Sequence, residues 1–109
     1  MEFAPERMST VHIVYLVAAN NGRLRKIVDE GNVLERFGSF FLEGGLLSAI
    51  DAYNDMRVES VDMDRFLTEW NGIIREATLP EDGMFLRTVA EMAEECRSMP
   101  GAALLFEGD

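Results

Sequence analysis

The clearest hydrophobic pattern lies in the second half of the chain. Apolar residues after Asp62 recur mainly at spacings of three and four, which predicts an amphipathic helix with Asp62 as its N-cap. They are Met63, Phe66, Leu67, Trp70, Ile73, Ile74 and Ala77. Pro80 stops this helix and suits the first turn of another, whose apolar stripe is Phe85, Val89, Met92, Cys96 and Met99.

The segment 11–19 is ambiguous. Its β-branched residues and the alternation of Val11, Ile13, Tyr15 and Val17 favour a strand, and Asn21-Gly22 is typical of a hairpin turn. The stretch that follows does not alternate, however. We therefore favour a buried first helix that ends at Gly22, and we keep the strand as the alternative.

The stretch 23–42 carries apolar residues at helical spacing. They are Leu24, Ile27, Val28, Leu34, Phe37 and Phe41, with Gly31 on the same face. This pattern predicts a second helix, and a short third helix would follow over 46–54. The segment 57–61 is expected to be a connector, for which an extended conformation is one option.

These elements predict an all-α fold, a compact bundle of four or five helices. The 109 residues suit a single domain, 1–109, with a loose N-terminal arm at 1–8 and an apolar C-terminal tail at 102–109. Nothing in the pattern indicates an internal repeat or a linker.

The charge is strongly acidic, with a net charge of −10. Of the 20 acidic residues, 13 lie in residues 55–109 together with 5 basic residues, so this half has a net charge of −8. Such a field repels phosphate backbones and anionic lipids, which argues against direct nucleic-acid or membrane binding. A basic protein surface would be attracted. With a single cysteine, we expect a reduced cytoplasmic protein.

Residues capable of catalysis or metal binding are few. His12 is the only histidine and stands in an apolar run, so we expect a structural role. Cys96 follows Glu94 and Glu95, whose carboxylates oppose thiolate formation. One histidine and one cysteine do not make a zinc or iron site, and the glycines form no phosphate-binding loop. We therefore expect no enzyme, no metal and no cofactor.

Apolar clusters are the main candidates for a functional surface. A single helix cannot bury consecutive large residues on one stripe, which suggests an interface with a partner protein or in a homodimer. The candidate partner-binding residues are Phe40, Phe41, Leu46, Leu47, Leu104, Leu105 and Phe106. A broad buried helix and a docked tail are the alternative explanation.

The leading hypothesis is a small acidic regulatory protein that binds another protein and inhibits or sequesters it. An anti-activator that masks the dimerisation surface of a transcription factor would be of this type. The alternative is a DNA mimic whose carboxylates occupy a nucleic-acid-binding cleft. A small enzyme that uses only carboxylates is a third hypothesis, and it would need two acids with separated pKa values in one pocket.

Overall fold

In a computed structural model, which describes residues 12–38, 45–47 and 55–108, a four-stranded antiparallel sheet forms the framework. Its strands are β1 (Ile13–Val17), β2 (Arg23–Val28), β3 (Met56–Glu59) and β4 (Ala103–Glu107), in the order β2-β1-β4-β3. The predicted all-α bundle is therefore wrong. The fold is a mixed α/β arrangement in which helices cover one face of the sheet.

The first two strands form a hairpin, so the strand alternative for the first segment is confirmed and the favoured helix is wrong. Asn21 adopts a left-handed conformation with φ 69°, which asparagine tolerates better than most residues. The N–H of Ala18 donates to the Gly22 carbonyl at 2.8 Å. Gly22 thus belongs to a hairpin turn, not to a helix end.

The predicted helix over 23–42 is also wrong. Its first part is strand β2, and the helical conformation is confined to one turn, α1 (Val33–Arg36). The apolar spacing there was misleading, because Leu24 is 52% exposed while Ile27 packs against the core. The predicted helix over 46–54 lies mostly outside the described residues.

The two helices of the second half are confirmed. A short 3-10 turn (Ser60–Asp62) leads into α2 (Met63–Ile74), and α3 (Pro80–Arg97) follows with the proline in its first turn. The connector before them is extended and forms β3. The helices run antiparallel, since Arg97 at the end of α3 donates to Asp64 at the start of α2 at 3.0 Å.

The predicted C-terminal tail is instead strand β4, which lies in the middle of the sheet. It pairs with β1 in a register that sets Phe106 opposite Val14 and Leu104 opposite Leu16, and its other edge pairs with β3. Leu104 and Phe106 face the helices, whereas Ala103 lies in a second buried cluster on the opposite face. A strand buried on both faces needs apolar residues at successive positions.

Three aromatic side chains fill the space between the sheet and the helices. Phe66 and Trp70 are stacked with ring centroids 5.2 Å apart, and both lie within 6.1 Å of the Phe106 ring. The indole N–H of Trp70 donates to the Leu86 carbonyl at 2.8 Å. These contacts hold α2 against α3 and both against β4.

Candidate functional site

A groove opens between the end of β2, the turn that follows it and the first half of α3. We call it the β2–α3 groove, and its volume is about 350 Å³. Ile27, Val33 and Phe85 supply apolar surface, while Met84 and Thr88 line it from α3. Concave sites with an apolar lining and a few polar groups are where proteins most often bind ligands or partner segments.

Carboxylates surround this apolar lining. Glu30 and Glu81 are exposed, whereas Asp29 and Asp82 are buried. The four acids come from two separate parts of the chain that the fold brings together. The exposed pair gives the groove a negative rim, and the buried pair shapes its walls.

Asp29 builds the turn at one end of the groove. Its two carboxylate oxygens accept the N–H groups of Val33 and Leu34 at 2.8 and 2.9 Å, so it satisfies the first donors of α1. Burial raises the pKa of the Asp29 carboxyl above its ordinary value of 3.8. The backbone hydrogen bonds and the nearby side chains of His12 and Arg36 act in the opposite direction and are the smaller effects.

Arg36 fastens this turn to α3. Its guanidinium donates to both oxygens of Asp82, at 2.7 and 2.9 Å, and also to the Gly31 carbonyl at 3.0 Å. The hydrogen bond from Arg36 lowers the pKa of the Asp82 carboxyl. A bidentate pair of this kind fixes geometry as well as charge, so the two sides of the groove are held in register.

Met84 is the apolar residue most open to solvent in the groove. Its side chain is 65% exposed, while the adjacent Phe85 is 7% exposed and belongs to the core. Flexible thioethers adapt to irregular contact surfaces. The combination of an exposed methionine with a carboxylate rim suits binding of a surface that is both apolar and basic.

The two buried acids of the groove, Asp29 and Asp82, are engaged in structural hydrogen bonds. What the groove presents to a partner is therefore its apolar lining and its exposed rim. Cys96 lies outside it, fully buried in the core, and burial raises the pKa of its thiol to about 11. His12 is 4% exposed and precedes β1. Within the described ranges, no three metal-ligating side chains are grouped so that they could hold an ion.

Where the structure describes the sequence-predicted partner-binding residues, it does not gather them on one surface. Leu47, Leu104 and Phe106 are buried in the core, and Leu46 is half-buried against it. Leu105 is half-buried on the opposite face of the sheet. Phe40 and Phe41 lie outside the described residues.

Leu46 and Leu47 are held by a single carboxylate of α2. Their backbone N–H groups donate to the two oxygens of Glu69, each at 3.1 Å. A β-carbon at Gly45 would lie 2.8 Å from one of those oxygens. The Gly-Leu-Leu segment is therefore docked on α2, and its glycine allows the close approach.

Sequence reasoning missed the groove residues, although one signal was present. Glu81, Met84, Thr88 and Glu91 recur at spacings of three and four on the polar side of α3, and Met84 is the single apolar residue among them. The contribution of Asp29 and Arg36 had no comparable signal, since Arg36 meets Asp82 across 46 positions.

In the part of the chain that the structure describes, no helix has the length and apolar character needed to cross a bilayer. No family model, curated protein or solved structure matches the chain.

Proposed function

We propose that this protein is a small acidic regulator that binds another protein and inhibits or sequesters it through the β2–α3 groove. The observation that carries the proposal is that the exposed Met84 lies beside the apolar lining of the groove, with Glu30 and Glu81 at its rim. Apolar contact would supply affinity, and the negative rim would select and attract a basic partner surface.

The rigidity of the groove supports this proposal. Arg36 joins the turn after β2 to α3 through its ion pair with Asp82. Asp29 fixes the same turn through its two hydrogen bonds, so the groove has its shape before a partner binds. A preformed surface loses less conformational entropy on binding, so more of the contact free energy appears as affinity. Inhibition then follows if the bound surface of the partner is one that it needs for its own activity.

A DNA mimic receives less support. Of the twelve acidic residues between positions 55 and 108, seven lie within 4.0 Å of an arginine of the same chain. They are Glu59, Asp64, Glu69, Asp82, Glu94, Glu95 and Glu107. Carboxylates that are already paired imitate the unneutralised phosphates of a duplex poorly.

A comparison of two surface variants tests the proposal. Met84→Asp places a charge in the groove, and Val61→Asp is its matched control, because Val61 is 86% exposed in the 3-10 turn and does not line the groove. Each tagged protein is used to capture partners from an extract of the cells that make it. We expect wild type and Val61→Asp to retain the same protein and Met84→Asp to lose it.

The activity of the retained protein is then measured with and without the added chain. Loss of that activity on addition supports inhibition. Equal capture by the Met84 and Val61 variants contradicts the groove as the binding surface. Capture that falls steeply with salt, by tenfold or more for a roughly threefold rise in ionic strength, would favour the DNA mimic instead.

The homodimer is a separate proposal. Analytical ultracentrifugation of wild type and Met84→Asp measures the oligomeric state. A dimer that forms in wild type and is lost in Met84→Asp would place the second copy in the groove.

A further inference from the structure

The β2–α3 groove runs beside an edge of the sheet. Among the described residues, strand β2 stands first in the order β2-β1-β4-β3 and has β1 as its single neighbour. The exposed positions of β2 include Arg23, Leu24 and Lys26. An edge strand presents backbone donors and acceptors to which another strand can add.

The register shows which backbone groups of β2 point outward. The Asp29 N–H donates to the His12 carbonyl at 2.9 Å, which makes these two residues a hydrogen-bonded pair. Bonded and non-bonded pairs alternate along an antiparallel ladder, and Val14 lies opposite Ile27 two positions further on. Ile27 therefore bonds to β1, whereas the N–H and C=O groups of Lys26 and Val28 point away from it.

The outward groups adjoin the groove. Val28 lines it, and the side chain of Ile27 lies on the helix side of the sheet, against the core. A strand added to Lys26 and Val28 would alternate its side chains between the two faces of the sheet. Every second side chain would then enter the space between Ile27, Phe85 and Thr88.

We propose that the β2–α3 groove binds an extended segment of another protein, which adds to the sheet as a fifth strand beside β2. This inference rests on the proposed function and specifies its binding mode. The segment carries an apolar residue that faces Phe85, and a basic residue two positions away on the same face. That basic residue pairs with the carboxylates of Glu30 and Glu81.

Charge argues against a second copy of this chain as the occupant. Strand β2 carries Arg23, Arg25 and Lys26, so pairing two β2 edges would bring cations of both copies together. Like charges on neighbouring strands are destabilising. Arg25 is also engaged with Glu95 of α3. These cations disfavour pairing of β2 with the β2 strand of a second copy. A segment of different sequence can still add to this edge.

The experiment uses the full chain and a displayed library of random peptides of about ten residues, long enough for an average strand. We expect selected peptides to share an apolar residue and a basic residue two positions apart. Hydrogen exchange followed by NMR should show the amides of Lys26 and Val28 protected when peptide binds. The amide of Ile27 is already protected by β1 and should change little.

A backbone variant separates strand addition from side-chain binding. Val28→Pro removes an N–H that points away from β1, and an edge strand tolerates proline at such a position. Val28→Thr is the control, because it keeps the N–H and the branched shape of the side chain. We expect Val28→Pro to weaken peptide binding by roughly tenfold, which corresponds to about 1.4 kcal/mol and lies in the range for the loss of one hydrogen bond. A loss of binding seen with Val28→Thr measures the contribution of the side chain, and the further loss in Val28→Pro measures that of the N–H.

The outcomes distinguish this inference from the proposed function. Peptides that require Met84 but bind Val28→Pro normally and protect neither amide overturn strand addition and leave the groove as a binding surface. A library that yields no binding peptide also overturns it, while the capture experiment decides the function separately. If Val28→Pro does not fold, protection of Lys26 and Val28 in the wild type is decisive alone.

Discussion

Arg36 holds Asp82 through two parallel hydrogen bonds, and this pair joins the turn after β2 to the first turn of α3. Asp82 is buried, whereas the Arg36 side chain remains 44% exposed. Breaking the pair leaves a buried polar group without its charged partner.

Asp82→Asn should destabilise the protein by about 1–3 kcal/mol at neutral pH, the usual cost of losing a hydrogen bond to a charged group. The pKa of Asp82 is lowered in the folded state from its ordinary value of 3.8. Its contribution is therefore complete above that value and is lost as the pH falls through the lowered pKa. Urea denaturation from neutral pH to about pH 3 measures this.

Glu81→Gln is the control for this prediction, because Glu81 is exposed on the same turn. It should change the free energy of unfolding by less than about 0.5 kcal/mol. A penalty for Asp82→Asn that grows on acidification would contradict the assignment.

Asp29 should show the opposite pH dependence. Burial raises its pKa in the folded state, so its contribution is greatest below the ordinary value of 3.8 and declines as the pH rises through the raised pKa. The stability of wild type relative to Asp29→Asn should therefore increase as the pH is lowered from neutral. Paired denaturation curves at several pH values measure this difference, and a constant difference would refute the prediction.

Phe106→Ala should cost about 3–5 kcal/mol, the range for removing a buried aromatic side chain. Phe106 is fully buried and contacts both Phe66 and Trp70. Leu24→Ala is the contrasting variant, since Leu24 is 52% exposed, and it should be nearly neutral. Thermal unfolding followed by the fluorescence of Trp70 provides the measurement. Equal stability of both variants would mean that Phe106 is not a core residue.

Gly45→Ala should destabilise the protein by about 1–3 kcal/mol, because the new methyl group would displace the Glu69 carboxylate from the backbone donors that it binds. Gly38→Ala is the matched control. A β-carbon there meets nothing within 4 Å, so it should be neutral or slightly stabilising, by up to about 1 kcal/mol. Chemical denaturation compares the two, and the reverse order would contradict the docking by Glu69.

Helices α2 and α3 could be predicted from the sequence because each has one apolar face and one polar face. Their boundaries are also marked, by Asp62 and Pro80. The strands could not be predicted as well. β1 and β4 occupy the middle of the sheet, so neighbouring residues are buried on opposite faces and apolar residues do not alternate with polar ones.

The same geometry explains the apolar run that sequence reasoning assigned to an interface. Leu104 and Phe106 pack under the helices, and Leu105 packs on the other face. A strand that packs on both faces accommodates three consecutive large residues in this way. The groove could not be predicted in this way, because its shape depends on Arg36 reaching Asp82 from a distant part of the chain.

The position of β4 also determines when the protein can fold. Pairing of Ile13 with Glu107 joins residues 94 positions apart, and such long-range contacts slow folding. During synthesis, β1 and β3 leave the ribosome without the strand that separates them. Until residues 103–107 emerge, the facing edges of β1 and β3 lack their partner strand, and the core lacks Leu104 and Phe106. Unpaired strand edges and exposed apolar surface are features that chaperones recognise.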